Sequence, residues 1–92
     1  MPILSPTEIA SFLITEPEWK LDEGKLVRNY TFPNSPSTIS FVNWIAELAE
    51  SSNHHPDIDI RYNQVRLSLV SHDAGGITER DIQMALRISQ RI

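Results

Sequence analysis

The chain has 92 residues, 40% hydrophobic and 22% charged, with a formal net charge of -4 at pH 7 and no cysteine. These values are those of a globular chain and not a disordered one. The acidic balance offers no basic patch for a phosphate backbone, and the missing thiols exclude a disulfide framework, a thiolate nucleophile and a thiolate metal site.

A chain this short makes a single domain, residues 1–92, burying roughly 60 to 65% of its extended surface, a core small enough for oligomerisation to add useful burial. The segment Met1 to Ser11 carries Glu8 and lacks both a basic region and a continuous apolar run, so it does not read as a signal peptide. No apolar stretch approaches a membrane span. The expectation is a soluble cytoplasmic protein that contacts neither membrane nor nucleic acid.

Ser5, Pro6, Thr7 and Glu8 form a capping box with proline at the first helical position, and Leu4 and Ile9 stand at the two ends of a hydrophobic staple. A short helix therefore begins after Ser5, carries Ile9, Phe12 and Leu13 on one stripe, and stops near Thr15 to Pro17. From Trp19 to Phe32 the period changes to two: Leu26, Arg28, Tyr30 and Phe32 alternate with Val27, Asn29 and Thr31 behind the turn triplet Asp22, Glu23, Gly24. This predicts a β-hairpin. Ser35 as N-cap with Pro36 at the first position then opens the longest helix, which runs to about Ser52 with Ile39, Phe41, Val42, Ile45, Leu48 and Ala49 on one wide stripe. Trp44 lies off the centre of that stripe, at the core edge or at a subunit interface.

After Pro56, Ile58, Ile60 and Tyr62 alternate with Asp59 and Arg61, and Asn63 and Gln64 form a two-residue turn into Val65, Leu67 and Leu69. Gly75 and Gly76 mark a bend. Ile77 to Ile82 reads as a second staple and capping box, with Asp81 in place of the usual Glu or Gln, and opens a last helix carrying Ile82, Ala85, Leu86, Ile88 and Ile92. The predicted order is α-β-β-α-β-β-α, an α+β fold with one four-stranded antiparallel sheet and its helices packed on a single face.

All three histidines fall around the second hairpin: His54 and His55 just before it, His72 just after. An antiparallel return, with Asp57 and Val70 at corresponding ends, brings His72 back beside the other two. Imidazoles titrate near neutrality, so three within reach of one another suit proton transfer to and from an uncharged or weakly charged substrate. Glu50 and Asp73 lie close enough in sequence to orient a ring or set its tautomer. Blander readings stand beside these: Glu50 as a solvated residue of a last helical turn, and Asp81 as a helix-capping group that satisfies one backbone amide. A three-histidine zinc site is disfavoured because adjacent histidines rarely converge on one ion. Gly75 and Gly76 lack the spacing and the lysine of a phosphate loop.

The run Glu50, His54, His55, Pro56, Tyr62, His72, Asp81 at these spacings resembles the pterin-4a-carbinolamine dehydratase family, known in animals also as a dimerisation cofactor of a homeodomain transcription factor. The likeness extends to Trp19, to the strand through Leu26, Arg28, Tyr30 and Phe32, and to Gly75, Gly76, Ile77 and Thr78, so it covers most of the chain. Many members carry an acid where this chain has Asn53, and some an aromatic residue at Ile58.

The resemblance implies a hydro-lyase that dehydrates 4a-hydroxytetrahydropterin to the quinonoid dihydropterin, recycling tetrahydropterin, with no metal or organic cofactor. It implies His54 and His72 as the acid-base pair and His55 as a substrate-binding residue, the three together forming the catalytic set. Pro56, Ser71, Asp73 and Ala74 then contact the pterin alongside His54, His55 and His72, and Glu50 and Asp81 support them. A homodimer or homotetramer is expected. The alternative is a binding or regulatory module on the same fold that acts through a protein partner.

Overall fold

A computed structural model describes residues 2–91; Ile92, expected on the last helix, lies outside them. The elements are α1 (Pro6–Thr15), β1 (Lys20–Asp22), β2 (Lys25–Thr31), α2 (Ser35–Ser52), β3 (Asp57–Arg61), β4 (Gln64–Leu69) and α3 (Glu79–Ser89), in the expected order. The sheet is antiparallel with strand order β1-β2-β4-β3, so the two hairpins join through β2 and β4.

Local chemistry accounts for the element ends. The Ser5 hydroxyl accepts from the Glu8 amide at 3.1 Å while the Glu8 carboxylate accepts from the Ser5 amide at 2.8 Å, which closes the α1 capping box. In the first hairpin Glu23 and Gly24 both take positive φ, 51° and 76°, the backbone required at the two central positions of a type I′ turn. The N-cap of α2 is Asn34, one residue before the expected Ser35, because its side-chain oxygen reaches the Ser37 amide at 2.8 Å.

The second hairpin turns at Tyr62 and Asn63, one residue earlier than the sequence pattern indicates, and Gln64 pairs with Arg61. Asn63 holds the turn there: its backbone and side chain both bond the Phe32 backbone, at 2.8 and 2.9 Å. The shift sets Asp57 opposite Ser68 and not opposite Val70. Continued past the strand ends, this register puts His54 across from Ser71.

Leu26, Val65, Leu67 and Leu69 point from the sheet into a core completed by Ile9 and Phe12 of α1, Phe41, Ile45 and Leu48 of α2, and Met84, Ala85 and Ile88 of α3. Ile39, expected on the α2 stripe, is half exposed, and Thr38 takes the inward position with its hydroxyl bonded to the Asn34 carbonyl at 2.8 Å. Trp44 sits at the core edge, half-buried, with the Arg91 guanidinium 5.1 Å from its ring centroid. Trp19, fully buried just ahead of β1, donates its indole N–H to Ser89 at 3.0 Å and so ties the start of the sheet to the end of α3. No helix among the described residues is long and apolar enough to cross a membrane.

Candidate active site

Three chain reversals converge at one end of the sheet. Helix α2 ends with Asn53 in the left-handed region, φ 51° and ψ 40°, a conformation asparagine tolerates better than most residues. The His54 amide donates back to the Ala49 carbonyl at 3.2 Å, so His54 and His55 leave the helix at a sharp angle. Beyond β4, residues 72–75 form a turn with Gly75 at φ 82°, closed by a bridge between Ser71 and Gly76. Thr78 then caps α3, which places Asp81 in its first turn.

Asp81 is where these segments meet. It is 0% exposed, a costly position for a carboxylate unless donors surround it. Three do: the Thr78 amide at 2.9 Å, the Ser71 hydroxyl at 2.9 Å and His54 Nε2 at 2.6 Å. The Thr78 contact is the capping bond the sequence indicates, and it accounts for only one of the three. A carboxylate accepts and does not donate, so Nε2 carries the proton of the neutral His54 ring and Nδ1 is left as its acceptor. The His54 side chain, 10% exposed, borders a cavity of about 300 Å³ with Ser52, Glu79, Arg80, Gln83, Met84 and Arg87; of the residues expected to act on or contact the pterin, His54 alone is in that lining.

His55 points elsewhere. Its Nε2 pairs with the Glu50 carboxylate, both side chains being more than half exposed. Pro56 is buried; His72 is exposed and follows Ser71 directly; Ala74 is half-buried. The structure thus joins His54, Asp81 and Ser71 in one cluster, sets His55 with Glu50 in a second, and leaves the His72 ring at the surface between turn and solvent.

Asp73 does not orient a histidine: its carboxylate takes the Arg80 guanidinium at 2.5 Å. This hydrogen bond from Arg80 holds the Asp73 carboxyl below its ordinary value. Arg80 is a site residue with no role in the sequence pattern, and Thr78 is one whose expected role was only that of the α3 N-cap. The N-cap position of Thr78 was visible, but its side-chain partner Ser71 lies across the bend. The only signal for Arg80 was an opposite charge seven residues away, on the far side of Gly75 and Gly76. Among the described residues no group of three or more His, Asp or Glu is placed to hold a metal ion.

The family model for pterin 4 alpha carbinolamine dehydratase matches residues 2–91. The chain belongs to that family. As a pterin-4-alpha-carbinolamine dehydratase family member it is an enzyme of the hydro-lyase class. It is 51% identical over 90 residues to a Chloroflexus aurantiacus protein assigned as such a dehydratase, covering 98% of this chain and 97% of the relative. A Thermomicrobium roseum relative with the same assignment is 50% identical over 90 residues, with coverage of 98% and 97%. Among solved structures, a transcriptional coactivator/pterin dehydratase from Brucella melitensis superposes with a TM-score of 0.88 at 29% identity over 95% of each chain. A pterin dehydratase-like protein described as a RuBisCO assembly factor in the alpha-carboxysome matches at a TM-score of 0.62 and 22% identity, over 76% of this chain and 81% of that one, a likeness of fold alone.

Proposed function

We propose that the chain dehydrates a 4a-hydroxytetrahydropterin to the quinonoid dihydropterin and water by histidine acid-base catalysis, recycling tetrahydropterin without a metal or organic cofactor. The observation that carries this reading is the His54 ring, backed at 2.6 Å by the buried Asp81 carboxylate and bordering a cavity. That cavity's volume, about 300 Å³, is at the low end for small-ligand sites.

In the proposed step the C4a–O bond breaks as a proton reaches the hydroxyl, and the N5–H proton is removed. The electron pair of that N–H bond becomes the C4a=N5 double bond, water leaves, and no atom is oxidised or reduced. His54 takes the N5 proton on Nδ1, and Asp81 holds the resulting imidazolium through Nε2. His72 gives the proton to the departing hydroxyl. His55, steadied by Glu50, binds substrate, and Pro56 with the segment Ser71 to Ala74 lines the pterin, Ser71 through its backbone because its hydroxyl is engaged by Asp81. The enzyme is proposed to act as a homodimer or homotetramer, a reading supported by the half-exposed Ile39 beside Trp44 on α2.

The test is the decay of chemically generated 4a-hydroxytetrahydropterin followed by stopped-flow absorbance, whose spontaneous dehydration is its own baseline. Substoichiometric protein is expected to accelerate the decay. The coactivator description of the Brucella melitensis structure favours a second reading, a module acting through a protein partner. Pterin binding without acceleration would move the chain to that class.

A further inference from the structure

We infer that Ser71 is a positioning residue, acting through Asp81 to fix the tautomer of His54, at the end of a hydrogen-bond chain that runs in one direction only.

The direction follows from counting protons. Each hydroxyl has one hydrogen to donate, and a carboxylate has none. Ser71 Oγ lies 2.9 Å from Asp81 Oδ2 and 2.7 Å from Thr78 Oγ1. Its single proton goes to the carboxylate, so the Thr78 hydroxyl donates to Ser71. The Thr78 oxygen in turn accepts from the Arg80 amide at 3.3 Å. The order is Arg80 N–H to Thr78, Thr78 O–H to Ser71, Ser71 O–H to Asp81. With the Thr78 amide also on Oδ2, this oxygen has two donors and the other, Oδ1, faces His54 Nε2.

Ser71, Thr78 and Asp81 are all 1% exposed or less, so no solvent is available to replace a lost donor. This burial separates Ser71 from a surface hydroxyl that merely decorates a site. Two donors from different segments, one from the residue after β4 and one from the α3 N-cap, pin the carboxylate plane. Removing the Ser71 hydroxyl leaves Oδ2 with the amide alone and frees the carboxyl group to turn, and with it the ring it orients. In buried chains of this kind successive bonds also reinforce one another.

Nitrogen-15 spectra of the imidazoles test the tautomer claim without any assay of activity. In the wild-type protein neutral His54 is expected as a single Nε2–H tautomer, and in Ser71→Ala, where the loosened carboxylate turns off Nε2 for part of the time, as a mixture. The kinetic part rests on the proposed dehydratase reaction: Ser71→Ala should lower kcat by about 10- to 100-fold, by analogy with the loss of partners that orient metal-ligating histidines, with KM changed less than about 2-fold. Ser71→Thr, which keeps the hydroxyl, should restore both the spectrum and kcat. A single Nε2–H tautomer and full kcat in folded Ser71→Ala would overturn the inference. If Ser71→Ala does not fold, the wild-type protein decides: a slowly exchanging Ser71 hydroxyl proton supports the chain, and a hydroxyl exchanging freely with solvent overturns it. Loss of the tautomer in a protein with no dehydratase activity would leave the positioning role standing and refute only the reaction.

Discussion

His54 Nε2 and Asp81 Oδ1 are 2.6 Å apart although 27 residues separate them in the chain. The contact joins the loop after α2 to the first turn of α3, and it brings a nearly buried imidazole onto a fully buried carboxylate. One carboxylate thus serves as helix cap, hydrogen-bond acceptor for Ser71 and support for His54.

Asp81→Asn isolates that convergence, because an amide offers one acceptor oxygen where three donors need two. With its oxygen kept by the Thr78 amide and Ser71, the new NH2 group faces His54, which must give up its Nε2–H tautomer to accept, and the bond to a charged group is lost at a cost of about 1.5 to 3 kcal/mol. Chemical denaturation at pH 7 is expected to read a loss of that size. A change under about 0.5 kcal/mol would mean that Asp81 does not satisfy all three donors.

The pair of His55 with Glu50 is chemically the same and energetically different. With 57% and 77% of the two side chains exposed, water screens it, and such pairs contribute about 0 to 1 kcal/mol. Glu50→Gln should therefore leave the denaturation midpoint nearly unchanged. A loss as large as that of Asp81→Asn would place Glu50 in the structural core of the site.

Asp73 provides a prediction in pH. Its carboxyl titrates below the ordinary value of 3.8, chiefly through the Arg80 hydrogen bond. A lowered folded-state value means that the stability from this pair is fully present above the unfolded value and is lost as pH falls through the folded one. Carbon-13 titration should find the Asp73 midpoint depressed and return it to the ordinary range in Arg80→Gln. An unshifted midpoint in the wild-type protein would contradict the pairing.

Tyr62 holds φ at 56° while 73% exposed, so a bulky residue occupies a left-handed position with little burial in return. Tyr62→Asn relieves that conformation and keeps the turn, with an expected gain of about 0.5 kcal/mol, roughly 2 to 4 °C in Tm for a domain of this size. Thermal melts showing a decrease would mean that the Tyr62 ring makes a stabilising contact, as in an oligomer.

The three helices and both hairpins were legible in local patterns: Ser5 with Glu8, Thr78 with Asp81, and the alternation through Leu26, Arg28 and Tyr30. Errors came where two local signals competed. Asn34 and Ser35 are both good N-caps, and only the distance to the Ser37 amide separates them. The turn at Tyr62 and Asn63 is set by Phe32, thirty-one residues upstream of Asn63, which no local pattern reports. The return of the second hairpin, which carries Ser71 back to the level of His54, was readable from its alternation. The partners of the histidines were less so: Asp73 adjoins His72 and Asp81 lies nine residues beyond it, yet the distant carboxylate is the one that meets His54 in the buried cluster, while Asp73 meets Arg80 at the surface.

The most direct test of the central claim is the rate of 4a-hydroxytetrahydropterin dehydration by the wild-type protein beside His54→Ala and His72→Ala, each first shown to be folded. The account expects acceleration by the wild-type protein and a loss of roughly two orders of magnitude or more in each variant, within the range for general acid-base groups. Folded variants that keep the wild-type rate would contradict it.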